Sequence, residues 1–264
     1  MTMKYFMTIL VCAALLMTAC HTDTENRFTW KKATADKQVP LCSDKDSPTC
    51  SVHLELHYAE TPKAPEVATE INDAIEEQLL DFSALTMQQA ADSFATQYAA
   101  NYRRNLLPLY REDQGDQDKC PWYEYRYTIE TNTAEGRGNV AIYKATVDYY
   151  EGGAHGINQL LTLNFDTQTG KLYRLQDVFV AGYEYRLNEL LLNALLEQTD
   201  CMTVDELRKK GYLYSMDMFA SENFMLGTDA ITFVYNPYEI ASYSMGKTEL
   251  TINYGDLEEI LKKE

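Results

Sequence analysis

Residues 149–156 read Tyr149-Tyr150-Glu151-Gly152-Gly153-Ala154-His155-Gly156, and they decide our interpretation of the fold. The tyrosines end a strand-like run that starts at Asn139, and a second strand-like run follows from Asn158 to Phe165. Glycines permit the positive φ angles that a tight turn requires. The stretch therefore predicts a turn that follows a strand. We expect 158–165 to form a hairpin with 171–175, and 139–150 to form a hairpin with 122–131, directly before this turn.

Periodic patterns extend outward from this turn on both sides. Alternation predicts further strands, and apolar spacing of three to four residues predicts helices. Helices and antiparallel hairpins are segregated along the chain rather than strictly alternating, which predicts an α+β fold with two lobes. The predicted strands are 51–58, 122–131, 171–175, 223–226, 230–235 and 248–254, and the predicted helices are 66–82, 86–107, 183–198, 203–210 and 256–262.

Several short motifs follow this turn in a fixed order. They are Asn164-Phe165-Asp166, Thr169-Gly170-Lys171-Leu172, Leu175-Gln176-Asp177-Val178-Phe179 and Asn236-Pro237-Tyr238-Glu239-Ile240-Ala241, closed by Gly246. In this order and spacing, residues 136–264 resemble domain of unknown function 3298, which is found in bacterial cell-envelope proteins. Residues 50–135 resemble its usual companion, domain of unknown function 4163.

The resemblance implies a role outside the cytoplasm. The same pair of domains occurs in a lysozyme-sensing anti-sigma factor, and the N-terminal module also accompanies the catalytic domain of some peptidoglycan deacetylases. These relatives imply a lysozyme-like muramidase or peptidoglycan as a candidate partner. We expect capture or inhibition rather than signalling, because the sensor's transmembrane and cytoplasmic helices have no counterpart in the sequence.

The first residues resemble a bacterial lipoprotein leader. Lys4 precedes an apolar run from Phe6 to Met17, and the small residues of Thr18-Ala19-Cys20 end it. We predict a signal peptide over residues 1–19, lipidation of Cys20 and a membrane anchor through that lipid. The alternative is simple secretion with cleavage at Ala19. Residues 20–49 are predicted to be a lipidated tether and disulfide loop, which places the protein in the periplasm or at the outer membrane.

The formal net charge is −17, with 40 acidic residues against 23 Lys and Arg. Such a charge argues against nucleic acid as a partner and favours a cationic protein, if it favours any. The alternative is an ordinary acidic surface.

Four cysteines follow Cys20: Cys42, Cys50, Cys120 and Cys201. An even number in an oxidising compartment predicts disulfides, with three possible pairings. A local Cys42–Cys50 bridge is the simplest, and Cys120 would then pair with Cys201. We expect no zinc site, because the sequence has no C-x-x-C motif.

The turn at residues 152–156 is also the candidate ligand site. The site comprises Gly152, Gly153, His155 and Gly156, flanked by Tyr149 and Tyr150, with Tyr238 of the later motif as a pocket wall. The turn resembles a nucleophile elbow, but Ala154 occupies the position of the nucleophile. His155 is either a ligand-binding or basic group or a structural residue that caps backbone carbonyls.

No cofactor or metal is expected. His53 and His57 lie on a predicted strand, which separates their side chains by roughly 13 Å. With 40 carboxylates in the chain, any pair of them is uninformative.

Three functional hypotheses follow from these patterns. The first is a non-catalytic, lipid-anchored envelope protein that captures or inhibits a lysozyme-like muramidase. The second is a glycan- or peptidoglycan-binding accessory protein, because Tyr123, Tyr125 and Tyr127 share one face of a strand. The third is a hydrolase that uses His155 with a carboxylate.

Overall fold

A five-stranded sheet organises the N-terminal lobe in the computed structural model, which describes residues 28–113 and 117–263. Its spatial order is β1-β2-β3-β4-β5, and only the β2–β3 pair is parallel. The predicted leader over residues 1–19 and the lipidation site Cys20 lie outside the described residues. The strands are β1 (Thr29–Pro40), β2 (Thr49–Glu60), β3 (Tyr125–Glu135), β4 (Val140–Glu151) and β5 (Ile157–Asp166).

Two helices make the crossover from β2 to β3 and cover one face of this sheet. They are α1 (Pro65–Leu80) and α2 (Met87–Glu112). The alternation in β2 buries Val52, Leu54 and Leu56 under them. Thr86 begins α2 with a capping box, in which its hydroxyl accepts the N–H of Gln89.

The C-terminal lobe packs helices against a three-stranded antiparallel sheet of order β6-β7-β8. The longest of these helices buries Leu187, Leu191 and Leu195 along one face. One short 3-10 helix precedes β3 in the first lobe, Gln117–Tyr123, and two lie in the C-terminal lobe, Tyr243–Met245 and Tyr254–Leu257. The lobe contains α3 (Leu175–Val178), α4 (Glu184–Gln198), α5 (Val204–Lys210), β6 (Phe224–Leu226), β7 (Ala230–Tyr235) and β8 (Thr248–Asn253).

Two separate hydrophobic cores confirm the predicted α+β class with two lobes. The first core draws its buried residues from Phe28 to Phe165, and the second from Leu175 to Ile260. The boundary between the two cores therefore lies between Phe165 and Leu175. The sequence suggested a boundary near residues 130–138, or alternatively a hairpin there that ties both halves into one sheet. The difference arises because β3, β4 and β5 complete a single sheet with the N-terminal strands.

Three predicted elements differ from the structure. Residues 29–40, expected to be tether, form β1, because Ala33 and Ala35 are buried against the first core. The predicted strand 171–175 makes only one bridge, between Phe165 and Leu172. The predicted helix 256–262 is instead the end of a 3-10 turn, Tyr254–Leu257, followed by a further turn, after which Leu261 pairs with Phe179.

The helix predicted to end before Pro108 instead continues to Glu112. A proline in a helix removes one N–H donor and normally kinks or ends the helix. Here Pro108 lies in the penultimate turn, and α2 closes after it with the Asp113 N–H donating to the Leu109 carbonyl at 3.1 Å.

The predicted disulfides are wrong, because all four cysteines are free thiols. Cys50 is completely buried in the first core, where burial raises the pKa of its thiol to about 11. The Cys42 thiol instead lies 3.3 Å from the Ser47 hydroxyl in the turn between β1 and β2. Cys201 packs in the second core, whereas Cys120 lies on the 3-10 helix of the first lobe.

Within residues 28–113 and 117–263, no helix is both long and apolar enough to cross a bilayer.

A buried carboxyl on α1 supports a first prediction. Glu76 is 0% exposed; its Oε2 accepts the Leu85 N–H at 3.4 Å, and its Oε1 has no hydrogen-bond partner among the described residues. Burial raises the pKa of Glu76 above its ordinary value, so folding favours the protonated carboxyl relative to the unfolded chain. The resulting stability is present below the ordinary pKa of glutamate and is lost as the pH rises through the raised one.

We therefore expect Glu76→Gln to raise the free energy of unfolding at pH 7 by about 1–2 kcal/mol, because a neutral amide avoids burying a charge. Chemical denaturation at acidic and neutral pH measures this gain, which should shrink toward zero below the ordinary pKa of glutamate. The exposed neighbour on α1 supplies the control, Glu77→Gln. Equal effects of the two substitutions at neutral pH would contradict the prediction.

Candidate functional site

The turn between β4 and β5 is held against the rest of the first lobe by Gly152. Its φ is +80°, and a Cβ atom there would lie 2.5 Å from the carbonyl oxygen of Trp122. Gly153 also has a positive φ, +91°, but a Cβ atom at that position would meet open space. Gly152 is therefore required for packing against the 3-10 helix Gln117–Tyr123, whereas Gly153 is required only for backbone conformation.

His155 belongs to an aromatic cluster at the tip of this hairpin. Its ring stacks on Tyr243, with the ring centroids 3.8 Å apart and an interplanar angle of 15°. The Tyr238 hydroxyl lies 3.3 Å from Nε2 of His155, and the Tyr238 and Tyr243 ring centroids are 5.6 Å apart. We call His155, Tyr238 and Tyr243 the aromatic surface.

The carbonyl oxygen of Gly156 orients both rings of the stack. It lies 3.0 Å from Nδ1 of His155 and accepts the Tyr243 hydroxyl at 2.8 Å. A carbonyl can only accept, so this contact assigns the imidazole proton to Nδ1. Nε2 is then the acceptor for the Tyr238 hydroxyl, and the stack is fixed by three polar contacts.

Tyr238 projects from a strained turn. Its φ is +75°, which is unusual for a bulky residue, and its side chain is 60% exposed. The turn is closed on both sides: the Glu239 N–H donates to the Asn236 carbonyl at 3.1 Å, and the Asn236 N–H donates to Oε2 of Glu239 at 3.0 Å. Strain of this kind persists where the surroundings determine the conformation, and it is concentrated at functional sites.

The other tyrosines predicted for the site have structural contacts. Tyr149 stacks on Tyr127 with centroids 5.7 Å apart, on the face of the sheet that the helices cover. The Tyr150 hydroxyl donates to the Gly153 carbonyl at 2.9 Å and so stabilises the turn. Of the predicted residues, only His155 and Tyr238 come together on the aromatic surface, while Gly156 supplies its central carbonyl.

The strand face of Tyr123, Tyr125 and Tyr127 is covered rather than open. The Tyr125 ring packs 5.3 Å from Tyr102 of α2, and the Tyr127 ring packs 5.0 Å from Tyr98. Tyr123 is buried in the first core. Tyr123 and Tyr125 therefore fill space between the sheet and the helices, whereas Tyr127 also lines a cavity at the junction of the lobes.

Two motif asparagines fasten the C-terminal lobe to β5. The Asn236 side chain accepts the Leu160 N–H at 2.8 Å and donates to the Leu160 carbonyl at 3.1 Å. Asn164 is 1% exposed; its amide donates to the Phe224 carbonyl at 2.7 Å, and its Oδ1 accepts the Leu226 N–H at 2.9 Å. These motif residues therefore hold the two lobes together.

A cavity of about 300 Å³ opens where the lobes meet. It lies between α1, the helix-covered face of the sheet and the turn that carries Tyr238. Glu239 lines it, and burial raises the pKa of this carboxyl above its ordinary value. Sequence reasoning missed this junction cavity, whose lining residues are Gln78, Leu79, Tyr127, Val147, Gln159, Leu160, Leu161, Asn236 and Glu239.

The histidines of β2 do not share a ligand. Nδ1 of His53 lies 2.7 Å from Asp36, and Nδ1 of His57 lies 2.9 Å from the Thr131 hydroxyl. The described ranges contain no group of three or more His, Cys, Asp or Glu placed to hold a metal ion. The aromatic surface offers different chemistry: exposed π-faces and a phenol that can hydrogen-bond to a ligand.

Comparison with known proteins identifies the C-terminal lobe. Residues 176–255 match the family described as "Protein of unknown function (DUF3298)", so the chain contains a DUF3298 domain. The match includes Tyr238 and Tyr243 but not His155. The resemblance of residues 50–135 to domain of unknown function 4163 stays a prediction.

One curated relative is the peptidoglycan-N-acetylmuramic acid deacetylase of Bacillus subtilis, which is 27% identical over 117 residues. The match covers 44% of this chain and 25% of the deacetylase, so this chain spans about a quarter of the length of that relative.

Two solved structures share the fold over most of the chain. A member of the DUF3298 family from Bacteroides fragilis has a TM-score of 0.84 at 28% identity, covering 90% of this chain and 95% of that one. A DUF3298 family protein from Pseudomonas aeruginosa has a TM-score of 0.58 at 20% identity, covering 89% of this chain and 94% of that one. The second likeness concerns the fold alone.

Proposed function

We propose that this protein with a DUF3298 domain is a non-catalytic, lipid-anchored binding protein of the bacterial cell envelope. Its partner is a lysozyme-like muramidase, which it captures or inhibits through the aromatic surface. One observation carries the proposal: an ordered stack of His155, Tyr238 and Tyr243 faces solvent at the tip of a hairpin. The proposal needs no cofactor and no nucleic acid.

Side-chain chemistry supports a binding role for this surface. Tyrosine is enriched at the energetic centres of protein interfaces, because its ring buries a large area while its hydroxyl keeps a polar contact. Tyr238 has both properties, because the residue is 60% exposed and its hydroxyl is already oriented toward His155. The fixed stack also lowers the conformational entropy that a partner would have to remove on binding.

The charge of the chain supports a cationic partner. The net charge is −17, and removal of Lys4 with the predicted leader would leave −18. Lysozymes are often strongly cationic, so long-range attraction would raise the rate of encounter and weaken with added salt.

We expect Tyr238→Ala to weaken the binding of a C-type lysozyme to the full chain by about tenfold or more, since truncating an interface tyrosine commonly costs more than 1 kcal/mol. Titration calorimetry at low and high salt measures both this loss and the salt dependence. Tyr185→Ala is the matched control, because Tyr185 is an 83% exposed tyrosine on α4. Binding that is absent at low salt, insensitive to salt, or equally reduced by both substitutions would refute capture through this surface.

A glycan ligand is the second candidate. It is favoured by the relative named as a peptidoglycan deacetylase and by the exposed rings, whose faces can stack on sugars. Co-sedimentation of the same two variants with insoluble peptidoglycan separates the candidates. Retention that depends on Tyr238 supports a glycan, and no retention of the wild-type chain removes it.

A further inference from the structure

We propose that the junction cavity binds one neutral sugar residue that carries an N-acyl group. The inference goes beyond protein capture, and it gives the glycan-binding alternative a definite site that the aromatic surface alone does not supply.

The size of the cavity limits the ligand to one ring. Its volume of about 300 Å³ lies at the lower end of the range for small-molecule sites, which is roughly 300–1,000 Å³. The cavity lies between elements of both lobes, and pockets at domain junctions are a common location for ligands.

The polar groups of the cavity match hydroxyl and amide groups. Gln78 of α1 and Gln159 of β5 each offer a side-chain amide, which both donates and accepts hydrogen bonds. Glu239 adds a carboxyl group, one oxygen of which accepts the Asn236 N–H. A sugar with hydroxyls and an N-acyl group presents the complementary donors and acceptors.

The apolar groups of the cavity complete this match. Leu79 of α1, Val147 of β4 and Leu161 of β5 line it together with the Tyr127 ring. Ring C–H groups and an acyl methyl are the apolar parts of such a sugar, and burying them against these side chains would be favourable.

The charge of the cavity favours a neutral ligand. None of the nine described lining residues is Lys, Arg or His, and Glu239 is the one ionisable carboxyl among them. A sugar with a free carboxylate would meet a like charge or force Glu239 to stay protonated. The overall charge of −17 acts in the same direction.

The cavity and the aromatic surface share two elements. The turn of Asn236 to Glu239 places Tyr238 on the surface and Glu239 in the cavity. On the hairpin side, Gln159 follows His155 by four residues, a distance of roughly 13 Å along an extended chain. A longer glycan with one residue in the cavity could therefore also contact the aromatic surface.

Saturation-transfer NMR on the purified full chain in detergent tests the proposal, with N-acetylglucosamine as the probe. We expect a dissociation constant of about 1 mM, with the strongest transfer to the acetyl methyl. Glucose, which lacks the acyl group, and N-acetylmuramic acid, which carries a free carboxylate, should each bind at least about tenfold more weakly.

Variants locate the site. Gln159→Leu should weaken binding of N-acetylglucosamine by about tenfold, whereas Asn158→Leu, exposed on the opposite face of β5, should not. Gln78→Leu, an exposed position on α1, should also weaken binding and gives the same information if Gln159→Leu does not fold. No saturation transfer at about 10 mM probe, or equal binding by all variants, would overturn the proposal.

The outcomes separate this inference from the proposed function. Loss of lysozyme capture in Tyr238→Ala with no sugar bound in the cavity would leave only the capture proposal standing. Sugar binding that depends on Gln159, without lysozyme capture, would leave only the cavity proposal standing.

Discussion

Asn164→Asp should lower the free energy of unfolding by roughly 3 kcal/mol or more at neutral pH, because it buries a charge and removes a buried donor. The Asn164 amide donates to the Phe224 carbonyl at 2.7 Å, and the side chain is 1% exposed. An aspartate keeps the acceptor for the Leu226 N–H but turns a carboxylate oxygen toward the Phe224 carbonyl. Two acceptors would then face each other in a site closed to water.

Denaturant unfolding at several pH values measures this effect. The introduced carboxyl should have a raised pKa, because burial disfavours its charged form and its protonated form can donate to the Phe224 carbonyl. The deficit relative to wild type should therefore shrink as the pH falls. Asn132→Asp is the control, because Asn132 is an exposed residue of the same sheet opposite Lys144. A deficit below about 1 kcal/mol would show that Asn164 does not join the lobes as described.

Gly152→Ala should destabilise the protein by roughly 3 kcal/mol, more than the addition of one methyl group at any other position of the hairpin turn. The added Cβ would combine a positive φ of +80° with a distance of 2.5 Å to the Trp122 carbonyl oxygen. That oxygen belongs to backbone, so the strain can be relieved only by moving the turn away from the 3-10 helix.

The neighbouring glycine provides a matched control. Gly153→Ala meets the same kind of φ, +91°, but no atom within 4 Å, so it should cost only about 1 kcal/mol. Thermal or denaturant unfolding of the two variants separates the cost of the close contact with Trp122 from the cost of a positive φ. Gly152→Ala should also weaken the binding of any ligand to the aromatic surface more than Gly153→Ala does, because it displaces the turn that carries His155. Equal stabilities would mean that the turn is not held against Trp122.

The sequence predicted the elements that have strong periodicity. The alternation of β2 and the apolar spacing of α1 and α4 fixed their type and their approximate ends. β1 was missed because Lys31, Lys32 and Lys37 dominate its pattern, and its buried residues Ala33 and Ala35 give almost no hydrophobic signal. An outermost strand that packs one face with alanines resembles a polar linker until its partner strand is known.

The candidate site was predicted as residues but not as an arrangement. His155 and Tyr238 stood out because of their motifs, yet they lie 83 residues apart and only the fold brings them within 3.3 Å. Tyr243 was missed because a 3-10 turn has no periodicity that would distinguish a stacking ring from any other tyrosine. The junction cavity was missed for a similar reason, because its lining residues come from five elements that are separated in sequence: α1, β3, β4, β5 and the turn at Asn236.

The side-chain amides that hydrogen-bond to the backbone of β5 affect how the protein behaves at high concentration. An unpaired strand edge can template the addition of a strand from another molecule, which leads to fibres or swapped dimers. Three contacts pair the backbone of β5. The Asn236 side chain hydrogen-bonds to both the N–H and the carbonyl of Leu160. The Asn223 side chain accepts the Thr162 N–H at 2.8 Å, and the Tyr173 N–H donates to the Asn164 carbonyl at 2.8 Å. These contacts shield β5 from intermolecular pairing, so self-association through this side of the sheet would first require the lobes to separate.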